Sequence, residues 1–289
     1  MRRRLRGTAL GLLLATLMSG CADSAEAPTW QSAATPTADS AVPVAGACHR
    51  EVEVVAYRFA YPAVDCAKTH RTETVHVGTF TGTAATRVTP PPAGSADMRT
   101  AFKACDARAT RFVGANWRGG LMSVRVVTPE PKDWTTGSRW YRCDLFALSS
   151  IDGSSSRRTP DHSATQRTGS LRGALTRPSP LRLACFDEDK WGNLGPVGCT
   201  RAHHFEYVGI WTAPEGTYEF AGRDPAVIHN RCREVIARRI RGTADERPVP
   251  GSGTMYRLPS PGAWQRGDRG IRCFYWSGEY RTMSRPLKG

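Results

Sequence analysis

"VDCAKTHRTETVHVG" spans Val64–Gly78 and "VGCTRAHHFEYVGIW" spans Val197–Trp211. Both write V-x-C-x3-H-x2-E-x-V, aligning Cys66, His70, Glu73 and Val75 with Cys199, His203, Glu206 and Val208. Working outward, Pro131-x2-Trp134-x2-Gly137-x-Arg139-x3-Cys143 returns without a gap as Pro261-x2-Trp264-x2-Gly267-x-Arg269-x3-Cys273. Leu171-Arg172-Gly173 then returns as Leu287-Lys288-Gly289. Matched blocks in one order, with insertions only between them, predict a duplicated domain.

The ends of the chain read differently. Arg2, Arg3, Arg4 and Arg6 precede the apolar run Ala9–Met18, which stops at small residues before Cys21. A basic start, a short apolar stretch and a small-residue site describe a signal peptide over 1–20 rather than a membrane span. Leu17-Met18-Ser19-Gly20-Cys21 resembles a bacterial lipobox, in which the cysteine thiol is acylated and opens the mature chain. That resemblance implies lipidation of Cys21 by diacylglycerol and palmitate, and firm anchoring, since two or three acyl chains hold far better than one. Residues 21–45 are rich in Ala, Ser, Thr and Pro and read as a disordered tether with a reach of roughly 25 Å. No later stretch is apolar enough to cross a bilayer.

The 289-residue chain carries a formal charge of +14, which falls to +10 once the four arginines of the signal are removed. A positive surface favours anionic neighbours such as lipid head groups or wall polymers. The cations are scattered and no nucleic-acid motif is present, so no nucleic-acid partner is expected.

Eight cysteines remain beyond Cys21, four in each half: Cys48, Cys66, Cys105 and Cys143, then Cys185, Cys199, Cys232 and Cys273. An even number in an exported chain points to disulfides. The paired C-x2-C spacing of zinc knuckles is absent, and neither a metal nor a cofactor is expected. Residues 50–58, "REVEVVAYR", and "TETVHVGTF" alternate as strands do. A helix follows over 97–112, with Met98, Phe102, Cys105, Ala109 and Phe112 on one apolar stripe. Its twin opens at Asp224-Pro225 and carries Ile228 and Cys232 inward. The strands "LMSVRVVTP" and "SRWYRCDLFAL" come next, with Tyr141, Cys143 and Leu145 on one face, as Ile271, Cys273 and Tyr275 are later.

Strands, one helix, then more strands imply an α+β fold: two tandem duplicated domains, each an antiparallel or mixed sheet with one packed helix and two disulfides. The expected boundaries are 46–173 for the first copy, with a mobile loop at 149–168, a linker at 174–182, and 183–289 for the second copy. Four cysteines allow three connectivities. A helix cysteine facing a strand cysteine favours Cys105 with Cys143 and Cys232 with Cys273, leaving Cys48 with Cys66 and Cys185 with Cys199.

This ordered set of cysteines, His70, Glu73, Trp134, Gly137 and Arg139 resembles the septum formation domain of actinobacterial envelope proteins, and the second half repeats the pattern. The resemblance implies a membrane-associated, extracytoplasmic protein and no particular reaction.

Candidate site residues follow from the repeat. Each His/Glu pair, His70 with Glu73 and His203 with Glu206, could hold a metal or act as an acid/base couple. In an extended segment residues three apart point to opposite faces, which favours a histidine that fixes the hairpin instead. Trp134 and Trp264 could offer an aromatic platform but suit packing over a helix, with Gly137 or Gly267 allowing the turn. Arg139 and Arg269 could pair with Glu73 or Glu206. There is no G-x-S-x-G elbow, no phosphate-cradling glycine loop and no H-E-x-x-H, so no catalytic residue is expected. The chain therefore reads as a non-enzymatic, lipid-anchored binding or assembly protein on the extracytoplasmic face of the cell membrane. Its partner would be an envelope protein or an anionic wall polymer, met between the two copies. The alternative is a metal-dependent envelope hydrolase using one His/Glu pair. Nothing in the sequence fixes the oligomeric state.

Overall fold

The computed structural model describes residues 42–57, 62–151, 163–216, 218, 224–240 and 252–287. The expected signal peptide, Cys21 and most of the tether lie outside the described residues, as do the centre of the 149–168 loop and the last two residues.

Five strands build the first sheet: β1 (Cys48–His49), β2 (Val55–Ala56), β3 (Thr72–Thr79), β4 (Met122–Pro129) and β5 (Trp140–Ala147), in the order β1-β3-β5-β4-β2. Only β2 and β4 run parallel. The second sheet, β7-β6-β8-β10-β9, is antiparallel and joins β6 (Cys185–Glu188), β7 (Leu194–Val197), β8 (Phe205–Thr212), β9 (Gly253–Arg257) and β10 (Gly270–Trp276). The helices are α1 (Ala96–Val113), α2 (Pro131–Thr135), α3 (Pro225–Ile240) and α4 (Pro261–Arg266).

The long helices start and stop where local chemistry allows. Ser95 caps α1 by accepting from the Met98 amide at 3.1 Å, and Gly114 ends it with a left-handed φ of 85°, a conformation that costs glycine little. Asp224 caps α3 through the Val227 amide at 3.1 Å. Met98, Phe102, Cys105 and Ala109 lie under α1, and Ile228, Cys232, Val235 and Ile236 lie under α3, all buried.

Four disulfides are present: Cys48–Cys66, Cys105–Cys143, Cys185–Cys199 and Cys232–Cys273. The second and fourth tie α1 to β5 and α3 to β10, and the other two close the hairpin regions at the start of each half. This is the pairing that facing helix and strand cysteines favour.

Both sheets carry a bulge at the same motif position. In the β3–β5 register Thr74 faces Asp144 and His76 faces Cys143, so Val75 is the extra residue. In the β8–β10 register Tyr207 faces Phe274 and Gly209 faces Cys273, which makes Val208 the extra one. A bulge breaks strict alternation and lets Val75 and Val208 pack against the helix-side cores.

Three core clusters hold the chain. One lies beneath α1 and one beneath α3. The third joins the halves: Leu121, Phe146, Leu148 and Ile151 meet Phe186, Leu194, Phe205 and Phe274. Alternation explains it, because Phe146 faces away from Cys143 and Leu145 just as Phe274 faces away from Cys273. Burying each such side chain contributes about 1.5–3 kcal/mol. Both halves consequently fall within one compact unit, Ala38–Gly289.

The sequence expectations need two corrections. The 50–58 strand shrinks to Val55–Ala56, because Glu53 turns inward to Arg142 and the Glu51 carbonyl accepts the Thr72 hydroxyl, so this stretch spends its polar groups on side chains rather than on a ladder. Among the described residues each half has a further short helix beside the expected one, the turn that holds Trp134 or Trp264. The ends of the 149–168 loop are tied down: Ile151 pairs with Leu194, Leu148 with Ala164, and Arg167 with His70. Residues 174–182 also pack, with Leu175 in the first core and the Leu181 carbonyl accepting the Leu121 amide at 2.7 Å.

Candidate functional site

Each motif glutamate pins the end of its own half. Glu73 is buried, accepting the Leu171 amide at 2.7 Å and the Ser170 hydroxyl at 2.6 Å. Glu206 accepts the Leu287 amide at 2.8 and 3.0 Å on its two oxygens. Leu171 and Leu287 are the repeated leucines, so the motif records a carboxylate and the chain end that it holds.

The two histidines differ. His70 Nδ1 lies 2.8 Å from the Lys68 carbonyl, and its Nε2 has no hydrogen-bond partner among the described residues. His203 Nδ1 lies 2.7 Å from the Arg201 carbonyl, but its Nε2 meets Glu206 Oε1 at 3.1 Å. The expectation that histidine and glutamate face apart therefore fails in the second half. Both histidines precede their strands and sit in isolated bridges, His70 with Arg167 and His203 with Met283, outside the regular alternation, so the halves differ in what engages the glutamate. In the first half the Ser170 hydroxyl occupies Glu73; Pro286 stands at the matching position and has no such group.

Trp134 and Trp264 are core residues, 0% and 2% exposed. Their indole nitrogens donate to the carbonyls of Arg87 at 2.9 Å and Gly216 at 2.8 Å. Arg139 and Arg269 each lie 4.4 Å over the neighbouring tryptophan ring and donate to its carbonyl. The suggested pairing of these arginines with Glu73 or Glu206 is thus corrected: Arg139 bonds the carbonyls of Ala85, Trp134 and Ser138, and Arg269 pairs with exposed Glu215 at 3.0 Å. The indole face attracts the guanidinium within the turn, leaving it out of reach of the pins.

A charged seam between the halves escapes the sequence reading. Arg118 donates Nε and Nη2 to Asp268 Oδ1 at 2.9 and 2.6 Å and Nη1 to Asp106 at 2.5 Å. Burial works against its charge, and the two carboxylates more than offset this, holding the guanidinium above its ordinary range. Arg272 donates to the Arg118 and Met122 carbonyls, and burial lowers it to about 10. Burial pushes the neighbouring Tyr207 hydroxyl up to about 12. Gly270 leaves the room: a Cβ there would lie 2.2 Å from Arg118 Cδ. The one available signal was position 268 inside the repeated block, where the first half has Ser138.

Beside this seam opens a cleft of about 560 Å³. Arg99, Lys103 and Asp106 line it from α1, with Arg118, Glu215 and Arg269 among the rest. A second buried charge cluster lies on the first sheet: Arg142 pairs with Glu53 and with Asp144, which accepts the Thr74 hydroxyl at 2.8 Å. Burial, opposed by Arg142, pushes Glu53 up to about 7.

Among the described residues two groups have metal-binding spacing, Cys48/Cys66/Glu73 and Cys185/His203/Glu206. In the oxidised chain Cys48 is bonded to Cys66 and Cys185 to Cys199, so neither group offers a thiolate.

The family model described as Septum formation matches residues 45–273, as one stretch through both halves. The chain belongs to the Septum formation family. Membership points to a role at the cell envelope. No curated protein and no solved structure matches this Septum formation chain. No helix among the described residues is long and apolar enough to cross a membrane.

Proposed function

We propose that this protein is a non-enzymatic, lipid-anchored binding or assembly protein of the cell envelope, built on a duplicated scaffold and facing outward from the cell membrane. Cys21 would carry the anchor, and its partner would be an anionic wall polymer or the acidic surface of an envelope protein. The observation that carries the reading is how the repeated residues are used. Glu73 and Glu206 hold chain ends, and Trp134, Trp264, Arg139 and Arg269 stack inside turns. The unrepeated cations Arg99 and Lys103 instead line the cleft where the halves meet. Repeated residues thereby serve the fold first, Gly267 and Arg269 only bordering the cleft, and unrepeated cations supply its recognition surface.

Crosslinking and pull-down of the anchored protein from intact cells under non-reducing conditions tests this, compared with a variant carrying Arg99→Glu and Lys103→Glu. Capture that falls severalfold in the folded variant supports the cleft. Undiminished capture overturns it, and hydrolysis of wall material that is lost on His203→Ala supports the enzyme alternative.

A further inference from the structure

The second-half cluster of Cys185, Cys199, His203 and Glu206 has a chemistry that pinning does not use. His203 is fully buried, and both ring nitrogens point at oxygens: Nδ1 at the Arg201 carbonyl, Nε2 at Glu206 Oε1. Both oxygens are acceptors, and a neutral imidazole has one N–H. Nδ1–H donates to the carbonyl, Nε2–H donates to Glu206 in the ion pair, and a metal ion would take that second proton's place on Nε2. A carbonyl that fixes the tautomer from behind is what a metal-binding histidine has.

The spacing agrees. One ligand atom each from Cys185, His203 and Glu206 lies within 4.8 Å of the others, and the His203–Glu206 separation is 3.1 Å. Ligands about 2.0–2.3 Å from a tetrahedral zinc ion stand about 3.3–3.8 Å apart. The Leu287 amide already orients Glu206 from outside. Cys199 stands outside that spacing group and, bonded to Cys185, would swing in as the fourth ligand once the bridge opens.

We infer that opening the Cys185–Cys199 bridge converts this cluster into a Cys2HisGlu site for zinc or a similar divalent transition ion. A dithiol reductant would transfer two electrons and two protons to the bridge, giving two thiols and leaving the reductant as its own disulfide. Zinc binding would then release three protons, two as the thiols become thiolates and one from His203 Nε2. Access favours this bridge over those to the helices: Cys199 is partly exposed, whereas Cys105, Cys143, Cys232 and Cys273 are fully buried. The metal would replace sulfur in holding the β6–β7 hairpin to the start of β8, so occupancy would report the redox state of the surroundings. The first half is the internal control. Cys48, Cys66 and Glu73 come together there without His70, and Ser170 occupies the carboxylate.

Full-chain protein in detergent, oxidised or reduced with a phosphine, is titrated anaerobically with cobalt(II) while released thiols are counted. The expected result is about one tetrahedral, thiolate-ligated cobalt per reduced chain and none in the oxidised chain. Cys185→Ser with Cys199→Ser should abolish uptake, His203→Gln should weaken it by about tenfold or more, and Cys48→Ser with Cys66→Ser should retain it. No thiolate-to-cobalt absorption once thiols are free, whether or not the reduced chain stays folded, overturns the proposal. So does uptake that survives in the Cys185/Cys199 double variant.

Discussion

Arg118 of the first half gives two hydrogen bonds to a single oxygen of Asp268 in the second, and both side chains are buried. The same carboxylate oxygen also accepts the Gly270 amide at 3.0 Å. Removing one member of a buried pair costs about 3–5 kcal/mol where the other charge is left unmatched, and the cost here should fall toward the lower end because Asp106 still holds Arg118 Nη1. Asp268→Ala should therefore lower Tm sharply. Asp268→Ser, which installs the first-half residue, should fall nearly as far, because serine cannot neutralise Arg118. Thermal unfolding followed by near-ultraviolet dichroism checks both, and a Tm unchanged in either variant would mean that the seam contributes nothing.

The glutamate pins predict unequal losses between the halves. Glu206→Ala leaves the Leu287 amide and His203 without their acceptor. Glu73→Ala strands the buried Leu171 amide alone, because exposed Ser170 can turn its hydroxyl to water. Each unsatisfied buried group costs about 1–3 kcal/mol, so both variants should be destabilised and Glu206→Ala the more. Urea midpoints measure this. Ser170→Ala should be the mildest of the set, since Leu171 keeps its bond to Glu73.

Glu53 sets a pH dependence. Burial raises its carboxyl from 4.5 to about 7, and its Oε1 has no hydrogen-bond partner among the described residues. The folded chain holds this proton more tightly than the unfolded chain does. Its contribution is complete below pH 4.5 and is lost as pH rises through about 7. Between those values wild-type stability should decline by at most about 1.4 kcal/mol per pH unit on this account, and Glu53→Gln should flatten the decline. Urea midpoints at several pH values check it, and a wild-type stability that rises across the window would contradict the role given to Glu53.

What could be read from the sequence was whatever the chain writes twice. The helix stripe through Cys105, the strand face through Cys143 and the disulfides joining them follow from periods of 3.6 and 2. The purpose of Glu73 was not legible, because its partner is a main-chain amide 98 positions away, and an amide has no residue signature. The bulges at Val75 and Val208 were hidden for a related reason, since an extra residue changes register without changing composition. Helices α2 and α4 have five and six residues, too few for a periodic pattern to emerge. Arg118 lies 150 residues from Asp268, and the first half carries Ser138 in place of that aspartate, so a comparison of the halves sets this position aside.

The disulfides predict a ranking that loop length decides. Cys105–Cys143 and Cys232–Cys273 span 38 and 41 residues, against 18 and 14 for Cys48–Cys66 and Cys185–Cys199. If bridges act by restricting the unfolded chain, the long loops contribute about 4 kcal/mol each and the short ones about 3. The long bridges are also the ones that fasten helix to sheet in cores with no exposed sulfur. Replacing Cys232 and Cys273 together by serine should then lower the urea midpoint more than replacing Cys185 and Cys199, and it should loosen α3 from β10. Hydrogen exchange of α3 amides separates this from a uniform loss: protection should fall in α3 while α1 keeps its own. Equal midpoints for the two pairs would show that loop entropy does not govern these bridges.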